Sequence, residues 1–369
     1  MIFNFEQFIN EVNIADLKKI QSNQISSLFN ISLEIELETD DTEGTDKEYT
    51  PNQVEKVIEM IRNRVYTQLL RFKNIDKNNL SKYNLFLNYL MDEIKISYDD
   101  EDELEIILDL EKYKDIIEYS IVELVEPLVS TYFMGENIFY LKNKLKSNLP
   151  TFWKKWKDKI KYEIDNTLER GIEISMKTFI IGIEEAISFI KDFYSDYDSQ
   201  TYWKFDQTTG IHINIGVRHK KDWNIIKGVL ILNDTYDNTF LFKGMEWRVN
   251  NEFTNSVKDL LLALPKKDRE VIKSDIKGKD IKYIEQYFND YLHDKIKEEG
   301  YKKFGFNITN IKNDNYVEFR HPGGEISEKD LIEKLLLFSY VVYCMTNSDF
   351  KKKEYQKKLY KFLNQLFIF

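Results

Sequence analysis

The chain has 369 residues, 42% hydrophobic and 14% aromatic, which is enough to bury a large core and excludes wholesale disorder. A formal charge of −10 and a pI near 5.2, with Lys and Arg interleaved among acids, exclude the basic face that duplex nucleic acid requires. No uninterrupted apolar run approaches the roughly 20 residues that span a bilayer, and Met1-Ile2-Phe3-Asn4-Phe5-Glu6 lacks the basic and apolar regions of a secretory signal, so neither membrane nor export is expected.

Residues 1–30 read as an amphipathic helical arm, with Phe5, Phe8, Ile9 and Val12 at helical spacing. A strand follows over 31–38, then an acidic loop from Asp40 to Asp46. Pro51 opens a helix striped by Val54, Ile58, Ile61, Val65 and Leu69, and a second helical run covers about 80–93. Residues 94–110 suggest a hairpin whose acidic tip, Asp99 to Glu103, is best read as a solvated turn, because adjacent acids cannot all converge on one ion. Residues 111–149 are helical again.

From 160 to 217 the pattern alternates strand, helix, strand, the helix carrying Ile183, Ala186, Ile187, Ile190 and Phe193. Residues 253–299 are charged and mostly helical. Phe304-Gly305-Phe306-Asn307-Ile308 and the strand at Tyr316 to Arg320 flank a polar turn, Lys312 to Asn315, as in a hairpin. Helices over about 328–345 and 351–366 close the chain, and Cys344 in the first of them reads as a buried small hydrophobe in a reducing compartment. The fold class expected is α+β. The simplest division is a helical arm at 1–30, one domain over 31–349 with a helical insertion at 50–150, and a C-terminal helix at 350–369.

Side chains alternate faces along a strand. Ser32-Leu33-Glu34-Ile35-Glu36-Leu37-Glu38, Gly171-Ile172-Glu173-Ile174-Ser175, Gly210-Ile211-His212-Ile213-Asn214-Ile215-Gly216 and Tyr316-Val317-Glu318-Phe319-Arg320 therefore each present aliphatic residues on one face and Glu, His or Arg on the other. Each has a plain account by itself: a wet sheet face, a hydrogen-bonded core histidine, a cross-strand ion pair. Together they describe a sheet whose polar face offers oxygen ligands to hard divalent cations such as Mg²⁺ or Mn²⁺, with Zn²⁺ an alternative because of the imidazole. Arg320, on the face of Glu318, offers a cationic fork for phosphate.

In this order the motifs resemble the amidoligase branch of the glutamine synthetase-like carboxylate–amine ligases, relatives of glutamate–cysteine ligase. The run Asp165-Asn166-Thr167-Leu168-Glu169-Arg170-Gly171-Ile172-Glu173-Ile174-Ser175 is similar to the family's Asp-Gly-Ser-Leu followed by Glu-hydrophobic-Ser. Thr209 to Gly216, Phe306-Asn307-Ile308 and Val317-Glu318-Phe319-Arg320-His321-Pro322-Gly323-Gly324 come next in the same order. The resemblance covers 31–38 and roughly 155–345. It implies a curved antiparallel sheet with helices on its outer face. It also implies ATP- and Mg²⁺-dependent joining of a carboxylate to an amine through an acyl phosphate, the amine or acid being a small molecule or a peptide.

By the resemblance, Glu34, His212 and Glu318 would hold one cation, and Glu36 with Glu173 a second. Arg320 would stabilise the transferred phosphoryl group, with Glu318 beside it in the catalytic centre, while Arg248, Asp165 and Asn214 would lie by nucleotide or substrate. An exposed, ion-pairing Arg248 is the alternative there. Asn214 stands where the family has a second histidine, Ser32 where it has glycine, and Asn166 where it has the glycine of Asp-Gly-Ser. His219 and His321 read as surface or rim residues, and His293 lies in a charged helix.

Met1 to Glu11 also resembles short N-terminal segments of large tailed-phage proteins, which would make phage structural proteins partners and place the chain in the host cytoplasm or the virion rather than an ordinary cytoplasm. Three functions stay open: an active ligase, a non-catalytic structural or virion-associated protein retaining the ligase fold, and a metal hydrolase, which leaves the late Glu-x-Arg without a role.

Overall fold

The computed structural model describes residue 20 and residues 23–39, 141–163, 171–205, 209–219, 222–235, 241–242, 248–249, 254–300 and 303–367. The chain divides into two compact units, Met1–Asp40 with Leu145–Phe369 and Asp41–Lys144, and the sheet with its helices belongs to the first. Most of the N-terminal arm, the helices and hairpin read over 51–140, and Asp165 lie outside the described residues.

A short helix, α1 (Asn23–Ser26), leads into the longest strand, β1 (Phe29–Glu38), which begins two residues ahead of the expected boundary. Next come α2 (Pro150–Trp156), β2 (Ile160–Glu163), β3 (Gly171–Met176), β4 (Ile180–Ile181), α3 (Ile183–Tyr197) and β5 (Ile211–Val217). Helices among the described residues that follow are α4 (Ile225–Thr235), α5 (Val257–Leu262), α6 (Lys266–Ile276) and α7 (Ile281–Glu299). The expected hairpin is β6 (Phe306–Asn307) and β7 (Tyr316–Phe319), but its polar turn coils into a helical turn, α8 (Ile311–Asp314). Asn315 ends that turn in the left-handed region at φ 60°, which asparagine occupies more readily than most residues. Here Asn315 accepts from Trp223 Nε1 at 2.9 Å and donates to Val217 O at 2.8 Å. The terminal helices are α9 (Glu328–Thr346) and α10 (Lys352–Leu366), close to the expected spans.

The strands form one antiparallel sheet in the order β2-β3-β1-β5-β7-β6, with β4 pairing the start of β1. The class is α+β. β1 is central because β3 and β4 pair along one of its edges, at Glu34–Glu38 and Asn30–Ile31, while β5 pairs along the other from Phe29 to Ile35. Its aliphatic set, Phe29, Ile31, Leu33, Ile35 and Leu37, is fully buried beneath the helices. α3 packs on β1 and α9 on β5, and the two helices touch each other. Ser26 Oγ accepts from Ile183 N at 2.8 Å at the start of α3, while Ser327 caps α9. Phe319 stacks on Phe338 of α9 at 4.2 Å, so the apolar face of β7 meets the helical layer, and Cys344 is buried in the same helix.

A period of two on β1 thus settles both faces: one is a dry core, and the Glu residues are turned to the opposite side.

Lys227 of α4 is a polar exception within that core. It is 0% exposed, and its ammonium donates to Phe350 O at 2.6 Å and Asn347 O at 2.8 Å, tying α4 to the connection between α9 and α10. Burial lowers its pKa. Lys227→Met keeps the volume but orphans those carbonyls, and should cost roughly 3 kcal/mol of stability in chemical denaturation. A cost below about 1 kcal/mol would mean the carbonyls find other donors. Among the described residues no helix is long and apolar enough to cross a membrane.

Candidate cation site on the polar face of the sheet

The register sets the polar side chains in three cross-strand rows. Lys161, Ser175, Glu34 and His212 form one; Glu163, Glu173 and Glu36 the second; Ser32, Asn214, Glu318 and Asn307 the third. Residues in a row are direct neighbours, and residues two apart on one strand occupy adjacent rows. Glu34, His212 and Glu318 converge as a result, each offering an atom within 4.8 Å of the others, the grouping of three metal-ligating side chains found among the described residues. His212 is 4% exposed and Glu318 8%.

Every carboxylate in the cluster is held. Glu34 Oε2 lies 3.1 Å from His212 Nδ1, and Glu34 Oε1 accepts from Asn214 Nδ2 at 2.7 Å. Glu318 Oε1 accepts from Arg320 Nη1 at 2.6 Å and sits 3.7 Å from His212 Nδ1, while its Oε2 accepts from Asn307 Nδ2 at 2.6 Å. Glu36 accepts from the backbone N–H of Gly210 and lies 3.7 Å from His212 Nε2. Glu173 faces Glu36 across the β1–β3 pair.

The electrostatics follow from four carboxylates against two guanidiniums and one imidazole. Burial pushes Glu34 up, but the His212 and Asn214 hydrogen bonds and the Arg320 charge outweigh it and hold it below the usual carboxylate value. Burial likewise pulls His212 down, and the Glu34 bond overcomes that, so its pKa rises. Glu173 is less well supported: burial, then the charge of Glu34, raises it to about 7 against the His212 charge and a Ser175 hydrogen bond. As a metal ligand His212 must be neutral, so a cation would displace its proton. Two carboxylates, one imidazole and an excess of negative charge in a half-buried setting suit Mg²⁺ or Mn²⁺, and Zn²⁺ less well.

Arg248 is buried, not exposed, which overturns the exposed ion-pair alternative. Its Nη1 donates to Thr209 O at 3.2 Å and its Nη2 to Arg320 O at 3.4 Å, and burial pulls its pKa to about 10 against the raising effect of Glu36. His321 also departs from its expected place. It is not a rim residue but 5% exposed, packed against Phe242 and Phe338. His219 is exposed as expected.

Sequence reasoning gave no role to Asn307 or Gly210. Alternation along Phe306-Asn307-Ile308 was the one signal for Asn307, which is fully buried in the Glu318 row. Gly210 has its own steric reason: a Cβ there would sit 3.0 Å from Glu36 Oε2 and 3.3 Å from both His212 Nε2 and Arg248 Nη2. Gly210→Ala should displace Glu36 by a few tenths of an ångström and weaken Mn²⁺ affinity about tenfold, with a melting temperature near wild type. Unchanged affinity in a calorimetric titration would show that Glu36 is not part of the cation site.

A cavity of about 320 Å³ beside Tyr194, Tyr197 and Phe205, and one of about 290 Å³ along α7, are lined by none of these residues. No family model, curated protein or solved structure matches the chain.

Proposed function

We propose that the chain is an ATP-dependent carboxylate–amine ligase of the amidoligase type, built on a glutamine synthetase-like sheet. The observation that carries this reading is the convergence of Glu34, His212 and Glu318 within 4.8 Å on one sheet face, with Arg320 bonded to Glu318. An antiparallel sheet with helices on its apolar face, and the order of the motifs along the chain, support it. Fold alone would not establish the reaction, so the weight rests on these side chains.

Glu34, His212 and Glu318 would hold one divalent cation, and Glu36 with Glu173 a second. Bound there, the cations would neutralise the phosphate charge of ATP during in-line transfer. The substrate carboxylate attacks the γ-phosphorus, ADP departs, and the amine then displaces phosphate from the acyl phosphate. Arg320 and Arg248 supply fixed positive charge beside the carboxylates, where the transferred phosphoryl group develops negative charge. Asn214, in place of a second histidine, donates a hydrogen bond without titrating near neutral pH.

The test is ADP formation with Mg²⁺ across a panel of carboxylates and amines, alongside calorimetry of nucleotide binding with and without the metal. Metal-dependent ADP release that requires both an acid and an amine is the expected result. Absence of metal-dependent nucleotide binding would overturn the proposal and favour a structural protein that retains the fold.

A further inference from the structure

The two carboxylates of the central cluster are each divided between an outer and an inner oxygen. Glu34 Oε1 is taken by Asn214 and Glu318 Oε2 by Asn307, leaving Glu34 Oε2 at 3.1 Å and Glu318 Oε1 at 3.7 Å from the same atom, His212 Nδ1. Arg320 shares the inner oxygen of Glu318. Asn214, Glu318 and Asn307 are direct cross-strand neighbours in one row, and the asparagines are 3% and 0% exposed.

Both amide orientations are fixed by chemistry. Thr309 N donates to Asn307 Oδ1 at 3.1 Å and Thr309 Oγ1 lies 2.8 Å from it. A backbone N–H can only donate, so Asn307 Nδ2 must turn to Glu318. Glu34, when ionised, can only accept, so Asn214 Nδ2 must face it. Asn214 Oδ1 is then a buried acceptor with no donor among the described residues. Burying such amides is costly, and an apolar residue at either position would serve packing better.

A neutral amide can orient a carboxylate without cancelling its charge. We infer that Asn214 and Asn307 are positioning residues of the cation site, a pair of amides that turn one oxygen of Glu34 and one of Glu318 inward while adding no positive charge of their own. The inference rests on the metal-binding half of the proposed function, and it concerns affinity, not turnover.

The experiment is a Mn²⁺ titration of the full chain followed by electron paramagnetic resonance. Asn307→Asp, nearly isosteric, sets an acceptor against Glu318, and Asn214→Leu removes the other donor at similar volume. Each should weaken Mn²⁺ roughly 10- to 100-fold, the range for groups that orient metal ligands. Because Asn307 acts through Glu318, Asn307→Asp should add less than about a twofold loss in a Glu318→Gln background, where the new amide can donate in reverse. A purely structural asparagine would lose as much in either background, and that result would overturn the inference. Wild-type affinity in both asparagine variants, with binding abolished by Glu34→Gln, would also overturn it and leave the ligase reading standing. Asparagine-dependent Mn²⁺ binding without ADP formation from any substrate pair would sink the ligase reading alone.

Discussion

Glu318→Ala is expected to lower Mg²⁺-dependent ADP formation by about 10³-fold or more, an effect larger than the 10²–10³ lost on removing one preorganised electrostatic group. Glu318 serves three neighbours at once: the proposed cation position with Glu34 and His212, the guanidinium of Arg320, and the amide of Asn307. Alanine removes a ligand, and it also leaves Arg320 without its counter-charge where the two side chains are only 15% and 10% exposed. Breaking so enclosed a pair costs stability too, on the order of 3 kcal/mol, so lost activity in Glu318→Ala alone would be ambiguous.

Glu318→Gln separates the two contributions. Its carbonyl can still accept from Arg320, although its amide then meets Asn307 Nδ2, so the fold should lose less than in Glu318→Ala while the charge offered to the cation disappears. Turnover in Glu318→Gln should therefore fall nearly as far as in Glu318→Ala, with a much smaller drop in melting temperature. Equal, wild-type rates of ADP release in both variants would remove Glu318 from the reaction and leave it a strand residue paired with an arginine.

What was legible in the sequence was whatever repeats with a fixed period. Alternation in Leu33-Glu34-Ile35-Glu36-Leu37 assigned each residue to a face with no knowledge of its partners, and the helical stripe of Ile183, Ala186, Ile190 and Phe193 did the same for α3. Grouping Glu34, His212 and Glu318 came from motif order, and the register shows how strands far apart in the chain can do it: β1 lies between β3 and β5, and β7 adds on beyond β5. Strand order itself has no local signature, because it is decided by long-range pairing.

Single residues outside a periodic run were not legible. Asn307 lies in a strand of two residues, where one step of alternation between Phe306 and Ile308 is the whole signal, and it matters only because β6 pairs it with Glu318. Burial of Arg248 depends on Thr209 and Arg320, residues far away in sequence. His321 reads as a surface or rim residue in the sequence because it flanks the Glu318 motif. Backbone bonds from Ile211 N to Pro322 O and from Gly324 N to Thr209 O instead fasten the stretch after it to the start of β5 and draw the ring inward.

That inward ring carries a large pH effect on the acid side. Burial first, then the positive charges of Lys334 and Arg248, lower the His321 pKa to about 3. The folded pKa is depressed for a base, so the unfolded chain, titrating near 6.5, binds the proton more readily between those values. Stability is thus fully present above about pH 6.5 and is lost as pH falls, by ~1.4 kcal/mol per unit, reaching ~2 kcal/mol at pH 5 and roughly 4–5 kcal/mol near pH 3. His212 has the opposite sign, since its folded pKa is raised and its pairing with Glu34 favours the protonated ring.

His321→Leu isolates the contribution of His321. Leucine fills the space among Phe242, Phe319 and Phe338, and it removes a ring nitrogen, Nδ1, that is buried without a hydrogen-bond partner among the described residues. At pH 8 the variant should match or slightly exceed wild type; at pH 5 it should be more stable by ~2 kcal/mol. Denaturant melts at both pH values measure the difference directly. A stability gap that stays the same from pH 8 to pH 5 would show that His321 keeps its ordinary affinity for protons and that the aromatic pocket opens to water.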